Sequence, residues 1–173
     1  MITLILGTMG SGKSYEAVKY VILEALKQGR RVVTNISGLQ KDRIATYLKL
    51  EHSEVERLLV VVTPEQETEV IGPPGTVALD TFWANAENSG LIQHGDVLVL
   101  DEAWKWLRDG KKLTPKCLEF VRLHRQWVGG PNNTSCDLYL ISQRDKDIAP
   151  AIRDTAERVL ELAPLRRTGL QQA

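Results

Sequence analysis

ITLIL (2–6) runs straight into GTMGSGKS (7–14), an apolar segment delivered into a loop of the form G-x-x-x-x-G-K-[ST]. Consecutive N–H groups converge on an anion only where the backbone takes positive or cramped angles, and Gly7, Gly10 and Gly12 permit them. Lys13 then adds a mobile charge for β- and γ-phosphates, and Ser14 places a hydroxyl on Mg²⁺. A helix starting there turns its positive end toward the same phosphates. The bland reading is an ordinary glycine-rich turn between a strand and a helix. The context favours the phosphate loop, with Gly7, Thr8, Met9, Gly10, Ser11, Gly12, Lys13, Ser14 and Tyr15 as the expected ATP-binding residues.

Working outward, Ala17, Val18, Val21, Ile22, Ala25 and Leu26 recur at helical spacing up to Gly29, which predicts a helix over about 14–28. RRVVTN (30–35) reads as a short strand. Thr34 and Asn35 stand at its carboxyl end, where ligands of open α/β sheets collect; simple turn formers before Gly38 are an equally open reading. Residues 39–57 are polar and mixed, helical around 41–50, with a lone solvated His52. LLVVV (58–62) predicts a fully buried strand, followed by a helix start at Thr63-Pro64-Glu65 and a turn at Pro73-Pro74-Gly75.

Two apolar runs end in aspartate, TVALD (76–80) and DVLVLDE (96–102). One of them must supply the magnesium carboxylate of a P-loop enzyme. The second is preferred, because VLVL is the cleaner buried run and Glu102 follows Asp101 directly. Asp80 then falls in the loop of an insertion. AWKWLRD (103–109) continues as a short helix in which Trp104 and Trp106 point to nearly opposite sides, one inward and one outward.

TPKCLEFVRLHRQWVGG (114–130) has proline at a helix start and two glycines at its end. One face carries Cys117, Phe120, Leu123, His124 and Trp127; Arg122 and Arg125 lie nearer the other. GGPNNTS (129–135) is a turn-rich loop. DLYLIS (137–142) is the next strand and ends in Ser142, Gln143 and Arg144. Residues 147–164 hold a short helix with Arg153 and a last strand near 157–162, and LRRTGLQQA (165–173) reads as a frayed tail.

At 173 residues, 43% hydrophobic and 25% charged, the sequence fits a single globular domain over 1–173. Lys plus Arg and Asp plus Glu both number 22, so no global field draws it to nucleic acid or an acidic membrane. Two cysteines, Cys117 and Cys136, are too few for a secreted disulfide framework. No basic leader precedes the first strand, and no stretch approaches the ~18 uncharged apolar residues of a membrane span. The expectation is a soluble cytoplasmic chain.

Strands separated by helical segments require a parallel sheet with helices on both faces and the nucleotide at its carboxyl edge. Asp101 then faces Ser14 across Mg²⁺, and Glu102 can orient and deprotonate a water for in-line attack on the γ-phosphate, with a plain surface acid as its alternative. Gln143, at the tip of the neighbouring strand, can hydrogen-bond the γ-phosphate or that water; an unremarkable loop amide is the alternative. The transferring group also needs a cation, and arginine fingers often come from another subunit. Arg125, Arg144 and Arg153 are the candidates, and the residues alone do not rank them. A small-molecule or nucleoside kinase and a non-catalytic nucleotide-binding module are the competing classes, and the adjacent Asp-Glu pair argues against the kinase.

GTMGSGKSYEAV (7–18), VVTNI (32–36), VLVLDEAW (97–104), LHRQW (123–127), LYLISQ (138–143) and AIR (151–153), in that order, resemble the zonular occludens toxin family, which includes the gene I assembly proteins of filamentous phages. The resemblance covers essentially the whole chain. It implies a RecA-like P-loop fold of the FtsK and HerA branch, with the strand after the Asp-Glu pair inserted beside the phosphate-loop strand and Gln143 beside the γ-phosphate. It also implies a Mg²⁺-dependent ATPase that powers extrusion of filamentous phage, with a DNA translocase as a close alternative. The expected partners are further copies in a ring, most simply a hexamer when membrane-anchored, phage assembly and secretion proteins, and the phage single-stranded DNA–protein complex. The expected place is the cytoplasmic face of the host inner membrane. Family members continue into one transmembrane segment and a periplasmic part, so the sequence reads as an N-terminal domain, and the tight-junction activity attributed to the periplasmic part is not carried over.

Overall fold

A strand covered on both faces must be apolar along its length, since neither set of alternating side chains meets water. Three strands come closest to that demand, β1 (Ile2–Gly7), β2 (Val32–Thr34) and β4 (Val97–Leu100), and a fourth, β7 (Asp137–Ser142), meets it beyond its half-buried Asp137 and Tyr139. In the computed structural model, which describes residues 1–163, they fill the centre of a six-stranded sheet. β3 (Leu59–Val61) and β8 (Arg158–Leu162) form its edges. The order is β3-β2-β4-β7-β1-β8, and every pair is parallel. The frayed tail expected at 165–173 lies outside the described residues.

Alternation along the strands separates two cores. Ile5, Val32, Val99 and Ile141 face a layer formed by α1 (Lys13–Ala17), a π-helical turn (Val18–Ile22), α2 (Leu23–Lys27), α3 (Lys41–Leu48) and α4 (His52–Leu58). The first three form one helical run that ends at Gly29, matching the period read over 14–28. Leu4, Leu6, Leu98, Leu100 and Leu140 face the opposite layer, which holds α6 (Pro115–Leu123), α7 (Pro150–Arg153) and the aromatic residues of the 71–92 segment. A short helix, α5 (Glu67–Val70), follows β3.

In the second layer, Phe82 meets Trp83 edge-on with ring centroids 5.0 Å apart, and Trp83 leads on to Phe120 at 5.2 Å. Trp106 is fully buried and its Nε1 donates to the Gly72 carbonyl at 2.6 Å, while Trp104 stays half-exposed. The two tryptophans therefore separate as their spacing predicts. Truncating such a side chain costs about 3–5 kcal/mol through lost burial and the cavity left behind. A Trp106→Ala variant is expected to show a loss of that size in urea unfolding, with the Gly72 carbonyl left without its donor.

Several boundaries differ from the sequence reading. β3 is an edge strand with Val60 and Val61 only half-buried, because continuous β-branched runs do not distinguish centre from edge. α4 was not expected; only Val55 and Leu58 of its seven residues turn inward, too few to show a period. The helix expected over 103–109 is a 3-10 turn (Ala103–Lys105), after which Arg108 bridges to Ile148. The helix expected to reach 130 stops at Leu123, and Val128–Gly129 (β5) pairs antiparallel with Thr134–Ser135 (β6). Trp127 is drawn inward, stacking on His94 at 5.7 Å, and Gly129 lies so close to His94 that a Cβ would sit 2.2 Å from its carbonyl oxygen.

Burial pushes the Cys117 thiol up to about 12 and that of Cys136 up to about 11. Both are protonated at neutral pH and poor nucleophiles. No helix among the described residues is long and apolar enough to cross a membrane. With β7 inserted between β1 and β4, the architecture is that of the RecA-like P-loop NTPases.

Candidate functional site

The strand order decides which loops meet. β1, β7 and β4 lie side by side, with Leu6 opposite Ser142 and Leu100 opposite Leu140, so Gly7, Gln143 and Asp101 leave the sheet at the same edge. The loop after β1 turns through positive φ at Gly10 (74°) and Gly12 (87°), angles that side-chain-bearing residues rarely take. At Gly7 the constraint is space as well, since a Cβ would lie 2.5 Å from Ser11 Oγ and 2.8 Å from the Leu162 carbonyl oxygen. The helical run begins directly afterwards, with Glu16 N–H donating to Gly12 O at 2.9 Å.

Lys13 is buried, and its ammonium donates to the carbonyl oxygens of Gly7 (2.8 Å) and Thr8 (2.9 Å). It is thereby folded back along the loop whose anion it would serve. Ser14 Oγ donates to Asp101 Oδ2 at 2.7 Å across 87 residues of sequence. The other Asp101 oxygen accepts from Glu102 N at 2.9 Å. A hydroxyl and a carboxylate in contact are the donors Mg²⁺ prefers when phosphate oxygens and waters complete its shell. Among the described residues no group of three or more His, Cys, Asp or Glu could hold a metal by itself. Met9 and Tyr15 are exposed beside the loop.

Glu102 takes a left-handed backbone, φ 51°, uncommon for a residue with a side chain. Trp104 Nε1 donates to its Oε2. Gln143 is exposed and lines a cleft with Trp104, Arg108, Arg144 and Asp147. Asp80, by contrast, sits exposed in a 3-10 turn (Asp80–Phe82).

None of the three candidate arginines makes a hydrogen bond or ion pair to the phosphate loop or the Asp101 turn among the described residues. Arg144 is paired with Asp147 at 2.8 Å, and Arg153 Nε is 3.6 Å from Asp154. Arg125 pairs with Glu157 at 2.7 Å. Glu157 precedes β8 and accepts from Ile2 N, which places that pair at the amino edge of the sheet, opposite the loop.

The sequence reading left Asn35 open between a ligand-side residue and a turn former. In the structure its amide bonds the main chain of Asp101 in both directions, 2.7 Å and 3.1 Å, and reaches Glu67 at 3.0 Å. Glu67 lies 3.6 Å from Lys105. Neither Glu67 nor Lys105 carried a motif. The one available signal was a polar residue ending an apolar strand.

The model of the family described as zonular occludens toxin (Zot) matches residues 1–173. A 56-residue stretch, 32% of this chain, is 52% identical to the Gene 1 protein of Xanthomonas phage phiLf and spans 13% of that relative's length. Among solved structures, the N-terminal domain of zonular occludens toxin from Neisseria meningitidis superposes with a TM-score of 0.57 at 21% identity, covering 97% of this chain and 79% of that one. B204, the DNA-packaging ATPase of Sulfolobus Turreted Icosahedral Virus, gives 0.60 at 22% identity over 92% of this chain and 74% of that one. At those identities the two structures speak for the fold.

Proposed function

The chain belongs to the zonular occludens toxin family, and from that premise we propose that it is a single Mg²⁺-dependent ATPase domain that drives assembly and extrusion of filamentous phage through the host inner membrane. The observation that carries the chemistry is the contact of Ser14 Oγ with Asp101 Oδ2 at 2.7 Å. Magnesium held there would neutralise charge on the β- and γ-phosphate oxygens. Lys13 exchanges its two loop carbonyls for phosphate oxygens. Glu102 orients a water and takes its proton, while Gln143 fixes that water or the γ-phosphate from the next strand. Arg153, or failing it Arg125, supplies positive charge to a neighbouring copy; from the amino edge Arg125 has no other route to a nucleotide.

The phage setting is supported by the likeness to a phage Gene 1 protein. In that setting the domain works at the cytoplasmic face of the membrane with further copies of itself, phage assembly and secretion proteins and the phage DNA–protein complex. The fold shared with a DNA-packaging ATPase prompts one second reading, a DNA translocase, which turnover stimulated several-fold by DNA would support.

The ring is tested by mixing two dead variants, Lys13→Ala and Arg153→Ala, in tethered or full-length protein. A trans-acting finger is worth ~10³ or more in rate, so an isolated subunit should be a poor enzyme. Partial recovery in the mixture is the expected result. No recovery, with specific activity independent of concentration, would mean that hydrolysis is completed within one chain.

A further inference from the structure

The parallel ladder between β2 and β4 ends at the pair Thr34 and Val99. Beyond it the main chain of Asp101 has no strand partner on that side, although its direction decides where the carboxylate points. We infer that Asn35 is a positioning residue that fixes the Asp101–Glu102 turn, held in its own setting by Glu67 and Lys105; the inference rests on the ATPase reading above.

Asn35 Oδ1 accepts from Asp101 N at 2.7 Å, and Nδ2 donates to Asp101 O at 3.1 Å. The side chain thus continues the sheet by one rung after its backbone has left it. Only a carboxamide can accept and donate at once in this geometry; a hydroxyl is too short and a carboxylate has no donor. The same Nδ2 reaches Glu67 Oε1 at 3.0 Å. Asn35 and Glu67 are 7% and 9% exposed, and groups so buried need their partners made. Glu67 Oε2 lies 3.6 Å from Lys105 Nζ, and Lys105 N donates to Glu102 O at 2.9 Å. The circuit closes through Asn35, Asp101, Glu102, Lys105 and Glu67. It encloses the left-handed residue Glu102, and it sets the line from Asp101 Oδ2 to Ser14.

The test uses Asn35→Ala, Asn35→Asp, and Asn35→Asp combined with Glu67→Gln, each read by amide hydrogen exchange and by steady-state ATP hydrolysis. In Asn35→Ala, exchange at the Asp101 amide should speed by ~10-fold or more while Val99 stays protected by its strand. In the same variant kcat should fall ~10–100-fold and half-saturating Mg²⁺ should rise, with KM for ATP within ~3-fold, the pattern of a displaced reacting group. Asn35→Asp places two carboxylates together and should be at least as impaired. The double variant lets the carboxamide introduced at position 67 donate to the new carboxylate, and at least ~5-fold recovery of kcat and of Asp101 protection over Asn35→Asp is expected from contacting residues. Unchanged Asp101 exchange in a folded Asn35→Ala protein overturns the inference. So does faster exchange with kcat and Mg²⁺ dependence unmoved. Exchange that responds and is rescued, in a wild-type chain without ATP turnover, upholds the clasp and rejects the hydrolase reading instead.

Discussion

A Lys13→Ala protein folds and no longer binds nucleotide productively. The buried ammonium donates to Gly7 O and Thr8 O, carbonyls at a loop that water can reach once the side chain is gone, so the two cores on either side of the sheet are untouched. Stability should change by no more than about 1 kcal/mol, the range of ordinary hydrogen-bond losses. The nucleotide loses a charge-assisted bond worth about 1.5–3 kcal/mol, or ~10–100-fold in affinity. Turnover should fall further, by at least ~10³-fold, because the lysine also steadies charge that grows at the γ-phosphate in the transition state. Titration with a fluorescent ATP analogue and the thermal shift produced by Mg·ATP check the first part, and phosphate release checks the second. A folded variant with unchanged affinity and turnover would remove the phosphate loop from the function.

Neighbouring acids should fail in different ways. Glu102→Gln is expected to bind Mg·ATP within ~3-fold of the wild type and to turn it over ~10²–10⁴-fold more slowly, the scale of a lost general base. The amide is isosteric and its oxygen can still accept from Trp104, so neither the turn nor the indole need move. Asp101→Asn removes the charge that Ser14 faces across 2.7 Å. It should raise the Mg²⁺ concentration needed for binding and depress affinity and turnover together. Asp80→Asn, in an exposed turn, should do neither. A magnesium defect in Asp80→Asn with normal behaviour in Asp101→Asn would mean that the wrong strand carries the metal.

The loop was legible because it is local. Glycines at 7, 10 and 12 announce backbone angles that other residues resist, and the apolar runs 2–6 and 97–100 announce strands covered on both faces. Where a boundary was misread, the missing information was long-range. Nothing near Leu123 says that Trp127 will leave the helix to stack on His94, and nothing in LLVVV says that one side of the strand will lack a neighbour.

By itself the sequence determined the class of fold and the family to which the ordered motifs belong, and it put forward Asp101 rather than Asp80 as the carboxylate for Ser14. Each of these depends on residue type and on spacing within short segments and on the order of those segments, where covalent geometry and burial leave few alternatives. Tertiary structure alone decided how the Asp-Glu turn is held. The amide of Asn35 and the indole of Trp104 reach it from the end of a neighbouring strand and the chain just beyond, and the carboxylate of Glu67, on a short helix, holds Asn35 in turn. Hydrogen bonds between residues 32 and 66 positions apart leave no periodic or spacing signature, because their partners are chosen by strand order in the sheet.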